Sequence, residues 1–127
     1  MRMLSMDDEE MIRQMGGATL HRMCYNVCVV SHGAEAVREF SDAIREGRPF
    51  SLAILDLTIV GSMGGFQTLE ELRRMDTGIK AIASSGYSND AVLSDYKAHG
   101  FQGIVAEPYE ASDLALAMGL VLKGARV

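Results

Sequence analysis

Five short apolar runs, each followed by a stretch of helical periodicity, constrain the fold of this chain more than any other feature. The runs are Arg2–Met6, Asn26–Val30, Leu52–Leu55, Ile79–Ala83 and Gly103–Ala106. They read as strands, and the Leu52–Leu55 run as one covered on both faces. Helices are expected from about Asp8 to Met23, with Ile12, Met15, Leu20 and Met23 inward, and from Ala34 to Arg45, with Ala36, Val37, Phe40, Ala43 and Ile44 inward. Three more follow: Phe66–Met75 on Leu69 and Leu72, Asn89–Ala98 ended by Gly100, and Ala111–Lys123 on Leu114, Leu116, Met118 and Val121. Gly16 and Gly17 sit inside the first helix, where each costs about 1 kcal/mol relative to alanine. Strands that alternate with helices build a parallel sheet with helices on both faces.

With 127 residues the chain is expected to be a single domain, residues 1–127, long enough for a real core. Apolar residues at 48% and charged residues at 23% exclude a disordered chain. A net charge of -5 argues against direct nucleic-acid binding. No apolar run approaches the roughly 18 residues of a membrane span, and no signal peptide is present, so a cytoplasmic domain without membrane contact is expected. Cys24 and Cys28 are too few for a metal or redox site and read as reduced thiols. Met11, Met15 and Met23 recur at helical spacing and read as core filler. Neither a linker nor an internal repeat is visible.

The stretch "SLAILDLT" ends a buried strand in a carboxylate, Asp56, and ligands of open α/β sheets bind just beyond such strand ends. The first strand likewise ends in Asp7-Asp8, followed by Glu9 and Glu10. The fourth ends in Ser84-Ser85 and the fifth in Glu107-Pro108. If strands one, three and four are neighbours, Asp7, Asp8 and Asp56 converge in one crevice beside a serine hydroxyl. Carboxylates that close raise one another's pKa unless a cation joins them, and hard oxygens with room for water suit Mg²⁺. "DDEE" is also a good first helical turn, so Asp8 alone decides nothing.

Over nearly its whole length the chain resembles the receiver domains of two-component response regulators. "MLSMDDEE", "LAILDLT", "AIASSGYSND" and "GFQGIVAEPY" carry the resemblance, and "SSGYSND" with "EPY" is most similar to receivers of hybrid sensor histidine kinases. The resemblance implies a flavodoxin-like (βα)5 sandwich with a parallel sheet in the order 2-1-3-4-5. It implies that Asp56 is the phosphoacceptor and that Mg²⁺ or Mn²⁺ is held by Asp8, Asp56 and the backbone carbonyl of Thr58, with Asp7 acting mainly through water. Ser85 takes the position whose hydroxyl bonds the phosphoryl group and carries the signal onward. The donor is a phosphohistidine on a histidine kinase or phosphotransfer domain, since His21, His32 and His99 lie away from the crevice. The implied role is that of an acceptor with at most slow autodephosphorylation, not an enzyme.

The departures from the family are specific. Its lysine before proline falls, twenty-two residues after Ser85, on Glu107. The aromatic switch position is Ile104, the proline after the phosphoacceptor is Val60 with one residue inserted in the Gly61–Gly65 loop, and the glycine that usually ends the first helix is Cys24. Three readings stay open. The first is a phosphoaccepting receiver, and the second a pseudo-receiver that docks a partner without phosphorylation, favoured by Glu107. The third is a small aspartyl-phosphate phosphohydrolase, because "ILDLT" resembles the haloacid-dehalogenase nucleophile motif. That motif needs an aspartate where Thr58 stands. No output domain follows the last helix, which leaves a stand-alone receiver or a piece of a longer chain, fused for example to a sensor kinase. A first strand that begins with the chain favours the piece.

Overall fold

Each apolar run forms a strand, and the five strands pair in parallel. The computed structural model describes residues 2–23, 25–57, 63–86, 96–107 and 109–124. The strands are β1 Arg2–Met6, β2 Asn26–Val30, β3 Leu52–Asp56, β4 Lys80–Ser85 and β5 Gly103–Ala106. Their order is β2-β1-β3-β4-β5, the flavodoxin-like arrangement expected. The helices are α1 Glu10–Arg22, α2 Gly33–Arg45, α3 Gly65–Met75 and α4 Ala111–Gly124. The helix expected at Asn89–Ala98 falls largely outside the described residues, as do Cys24, Thr58, Val60 and Pro108. Within its expected end, Gly100 adopts φ +95, the left-handed conformation that glycine takes without strain.

Alternation along the central strands divides the core into two layers. Leu4, Met6, Ala53, Leu55, Ala81 and Ala83 pack under α2 and α3, against Ala36, Phe40, Ala43, Leu69 and Leu72. Met3, Leu52, Ile54, Ile82 and Val105 face the other way, against Leu20 of α1 and Leu114, Met118 and Val121 of α4. All five residues of β3 are buried, as a strand covered on both faces requires.

Several residues expected inward are not. Met11 is 73% exposed and Met15 and Ile44 are exposed too, and on α4 Leu116 is 67% exposed beside Leu120. On α1 the buried positions are Gly16 and Leu20, a stripe turned by about one residue from the methionine row. The cause is the approach of Tyr109: a Cβ on Gly16 would collide with its phenolic oxygen. Only a glycine lets the helix come this near the sheet, which accounts for its place in a helix interior.

The amino edge of the sheet is tied by one side chain. Arg73, in the last turn of α3, donates from Nε and Nη2 to the carbonyl oxygen of Ile79 and from Nη2 to that of Gly100, at 2.8 Å for the latter. The Gln102 side chain accepts from the Ala81 N–H at 2.8 Å, joining the same two segments.

Candidate functional site

The same alternation gathers the acids. Asp56 is two residues beyond Ile54 and so points to the α1–α4 face, and its partner across the ladder is Ser84. Glu107 follows Val105 by two positions and continues that face. Asp7 comes two residues after Ser5, and its N–H donates to the Val30 carbonyl at 3.1 Å, prolonging the β1–β2 ladder past the strand end. Asp56 and Asp7 are 1% and 4% exposed, whereas Asp8 is exposed. One carboxylate oxygen from each of Asp7, Asp8 and Asp56 lies within 4.8 Å of the others.

Asp7 carries most of the electrostatic tension. Its Oδ1 accepts the Glu9 N–H at 2.9 Å, while Oδ2 is buried with no hydrogen-bond partner. Arg13 approaches, but it donates to the Asp7 backbone carbonyl at 2.9 Å and leaves the carboxylate uncompensated. Burial pushes the Asp7 carboxyl up to about 7, with the neighbouring Glu107 carboxyl adding to the rise and the Glu9 N–H opposing it. Burial also raises Glu107, and the hydrogen bond that Asp7 can donate to it when Asp7 holds a proton, together with the bond from Ser84, works against the rise. Tyr109, beneath them against Ser5, is pushed up to about 12 by burial and then by the charges of Asp7 and Glu107.

Glu107 turns into the crevice. The Ser84 hydroxyl donates to its Oε1 at 2.9 Å and holds it there. Ser85, the next residue, is buried at the end of β4 and by alternation belongs to the opposite face, with Ala81 and Ala83. The expected ligand carbonyl of Thr58 lies outside the described residues. The three histidines stand elsewhere: His21 is exposed on α1, His32 caps α2 by accepting the Glu35 N–H, and His99 stacks on Phe66 at 4.0 Å. Sequence reasoning missed Ser84 as Glu107's partner and Tyr109 as the floor of the crevice. The signal for Tyr109 was Gly16, a costly helix residue with no explanation until its neighbour is known.

Three close carboxylates, one with an orphaned buried oxygen, form a set of hard anionic donors that fits a Mg²⁺ or Mn²⁺ ion. A cation there would neutralise charge that no described lysine or arginine does for Asp7 or Glu107. Among the described residues no helix is long and apolar enough to cross a membrane.

Comparison with known proteins agrees with this geometry. A family model described as the response regulator receiver domain matches residues 3–118. The sensor kinase CckA of Brucella abortus (strain 2308) is 29% identical over 112 residues, which are 88% of this chain and 11% of that protein. The chain thus spans only about a tenth of the length of that relative. Among solved structures, the chemotaxis protein CheY4 of Vibrio cholerae superposes with a TM-score of 0.83 at 24% identity, covering 94% of this chain and 97% of its own. NtrX from Brucella abortus gives 0.87 at 21% identity over 98% of this chain and 27% of its own. At these identities the structural likenesses establish the fold.

Proposed function

The chain belongs to the family of response regulator receiver domains, and from that premise we propose that it accepts a phosphoryl group on Asp56 and signals by protein contact. The observation that carries this is the placing of the Asp56 carboxylate at the end of a fully buried strand, with Asp7 and Asp8 oxygens within 4.8 Å. A strand so enclosed fixes the nucleophile's position at the carboxyl edge of the sheet, where a donor is proposed to approach. An Asp56 carboxylate oxygen attacks phosphorus in line and the N–P bond of a phosphohistidine breaks. Its electron pair and a proton stay with the departing imidazole. A Mg²⁺ ion held by Asp8 and Asp56, with Asp7 behind it through water and the Thr58 carbonyl completing the set, would supply charge neutralisation of the transferring oxygens. Ser85, which ends β4 next to Asp56's ladder partner but alternates to the other face, is the hydroxyl proposed to turn and bond the phosphoryl group afterwards.

The donor under this reading is a histidine kinase or a histidine phosphotransfer domain, and the whole of residues 1–127 is one receiver domain in the cytoplasm. Fusion to a sensor kinase is supported by the match to a segment of CckA. Autodephosphorylation is at most slow under this reading, as the resemblance to receivers implies. A second reading, a docking module with impaired phosphorylation or switching, is favoured by one observation: Glu107, where the family has lysine, is held inward by Ser84 and adds negative charge. Intact mass after incubation with Mg²⁺ and acetyl phosphate separates the two. Phosphoacceptance predicts one added phosphoryl group that is lost in Asp56→Asn and in EDTA. An unmodified parent, under conditions that label an ordinary receiver, selects the docking module.

A further inference from the structure

Ser84 lies opposite Val105 near the end of β4, Glu107 follows the last residue of β5, and their side chains are bonded at 2.9 Å. We propose that Ser84 is a positioning residue that latches Glu107 beside Asp7, so that a fourth carboxylate tightens the hold of the crevice on a divalent cation. The inference deepens the phosphoacceptor reading and rests on it only for the use of the same crevice. Four observations carry it. Ser84 projects to the α1–α4 face with Asp56, its ladder partner, rather than to the face of Ser85. The Glu107 N–H donates to the Ser85 carbonyl at 2.8 Å, which anchors the glutamate backbone next to β4. Gly86 leaves the approach to Glu107 open, since even an added Cβ there would stand 3.9 Å from Oε2. Asp7, with its buried and unpartnered Oδ2, is the acid that Glu107 faces.

The three aspartates already lie within reach of one ion, and Glu107 is not among them. Its part is therefore played from behind Asp7: it adds a negative charge that no described cation offsets, and a bound divalent ion is what relieves it. Where the family's lysine would compete with the metal for the aspartates, this chain has exchanged the internal cation for dependence on an external one. Without the Ser84 hydroxyl the Glu107 side chain loses its tether and gains the freedom to turn to solvent, taking its charge out of the site.

The test is calorimetric titration of the full chain with Mg²⁺ alone at pH 8, without phosphodonor. Glu107→Gln, which keeps an oxygen to accept from Ser84 but lacks the charge, should bind Mg²⁺ about tenfold more weakly. Ser84→Ala should lose about threefold to tenfold, and Ser84→Thr should stay within about twofold of the parent because it keeps the hydroxyl. In a Glu107→Gln background, Ser84→Ala should cost nothing more, since the latch would have no charge to hold. Parent-like affinity in Ser84→Ala, or a loss that adds in full to that of Glu107→Gln, overturns the proposal. Acetyl-phosphate labelling of the same proteins keeps the two ideas apart: the expected metal affinities without any label would sink phosphoacceptance and leave the latch standing. A labelled parent with no coupling between Ser84 and Glu107 would do the reverse.

Discussion

Replacing Asp7 by asparagine should stabilise the metal-free protein, and the gain should depend on pH. In the folded chain burial and Glu107 hold the Asp7 carboxyl at about 7, against 3.8 for the free group. Between those values the folded state keeps a proton that the unfolded state has released. Stability is therefore fully present below 3.8, falls as pH rises, and levels off above about 7. A shift of about 3 units at about 1.4 kcal/mol per unit sets a ceiling near ~4 kcal/mol. Sharing of the proton with Glu107 and residual charge interactions in the unfolded chain bring the expected gain to about 2 kcal/mol at pH 8. Asparagine has no charge to desolvate. Its Oδ1 can still accept the Glu9 N–H, and its amide can donate toward Glu107 where Oδ2 now has no partner. Urea unfolding in EDTA at pH 8 and pH 5 is the assay. The variant should exceed the parent by about 2 kcal/mol at pH 8, or about 8 °C in Tm for a domain this size, and by roughly half that or less at pH 5. Millimolar Mg²⁺ should narrow the gap, because the ion stabilises the parent by mass action. A gap that is the same at both pH values, or a parent more stable than the variant in EDTA at pH 8, would refute the assignment of strain to Asp7.

Three further substitutions probe separate parts of the same account. Asp8→Ala should bind Mg²⁺ at least tenfold more weakly than the parent in calorimetry, as loss of a direct carboxylate ligand implies; unchanged affinity would remove Asp8 from the metal set. Glu107→Lys should speed acetyl-phosphate labelling, weaken Mg²⁺ binding and enlarge NMR shifts around Ile104. Two unit charges about 5 Å apart at an effective dielectric near 20 interact by about 3 kcal/mol, so reversing one changes the crevice substantially. If rate, affinity and shifts all stay as in the parent, the side chain at 107 does not act on the site. Gly16→Ala gains about 1 kcal/mol of helix propensity but meets the Tyr109 hydroxyl. Crowding of that kind costs about 1–3 kcal/mol, so thermal denaturation should show a net loss, recovered when Tyr109→Phe removes the oxygen. No recovery in the double variant would mean that the two residues do not limit each other.

The strands were readable because β1, β3 and β4 are short apolar runs buried almost throughout, while β2 and β5, largely half-buried or exposed, were marked by their place in the alternation; the sheet order came from the resemblance to receiver domains. Where a helix has only one half-buried face, the pattern was less decisive. Met11, Met15, Ile44 and Leu116 match a helical period yet lie outward, since periodicity fixes spacing but not which way the helix is rolled. The roll of α1 is set by a contact between Gly16 and Tyr109, ninety-three positions apart, which no local pattern encodes. Convergence of Asp7, Asp8 and Asp56 was foreseeable because all three end strands that a parallel sheet must align at one edge. The direction taken by Glu107 was not. Inward and outward rotamers are both open to a glutamate after a strand, and the choice depends on the hydroxyl at 84.

The guanidinium of Arg73 gives the domain a mechanical asymmetry. It binds the carbonyls of Ile79 and Gly100 together, just before β4 and β5 begin, and the Gln102 side chain repeats the link at Ala81. Both strands are thus riveted at the ends remote from the acids. Separating them there would break several bonds at once, at about 1 kcal/mol or more for each. At their other ends β4 and β5 are joined beyond the ladder by fewer bonds, the Glu107 N–H to the Ser85 carbonyl and the Ser84 hydroxyl to Glu107, so displacement is cheaper there and the pair is built like tweezers with a fixed hinge and working tips. A charge change at the tips needs no motion of the hinge to alter the gap between them. In amide exchange this would appear as a gradient along β4, with protection highest near Ala81 and falling toward Ser85.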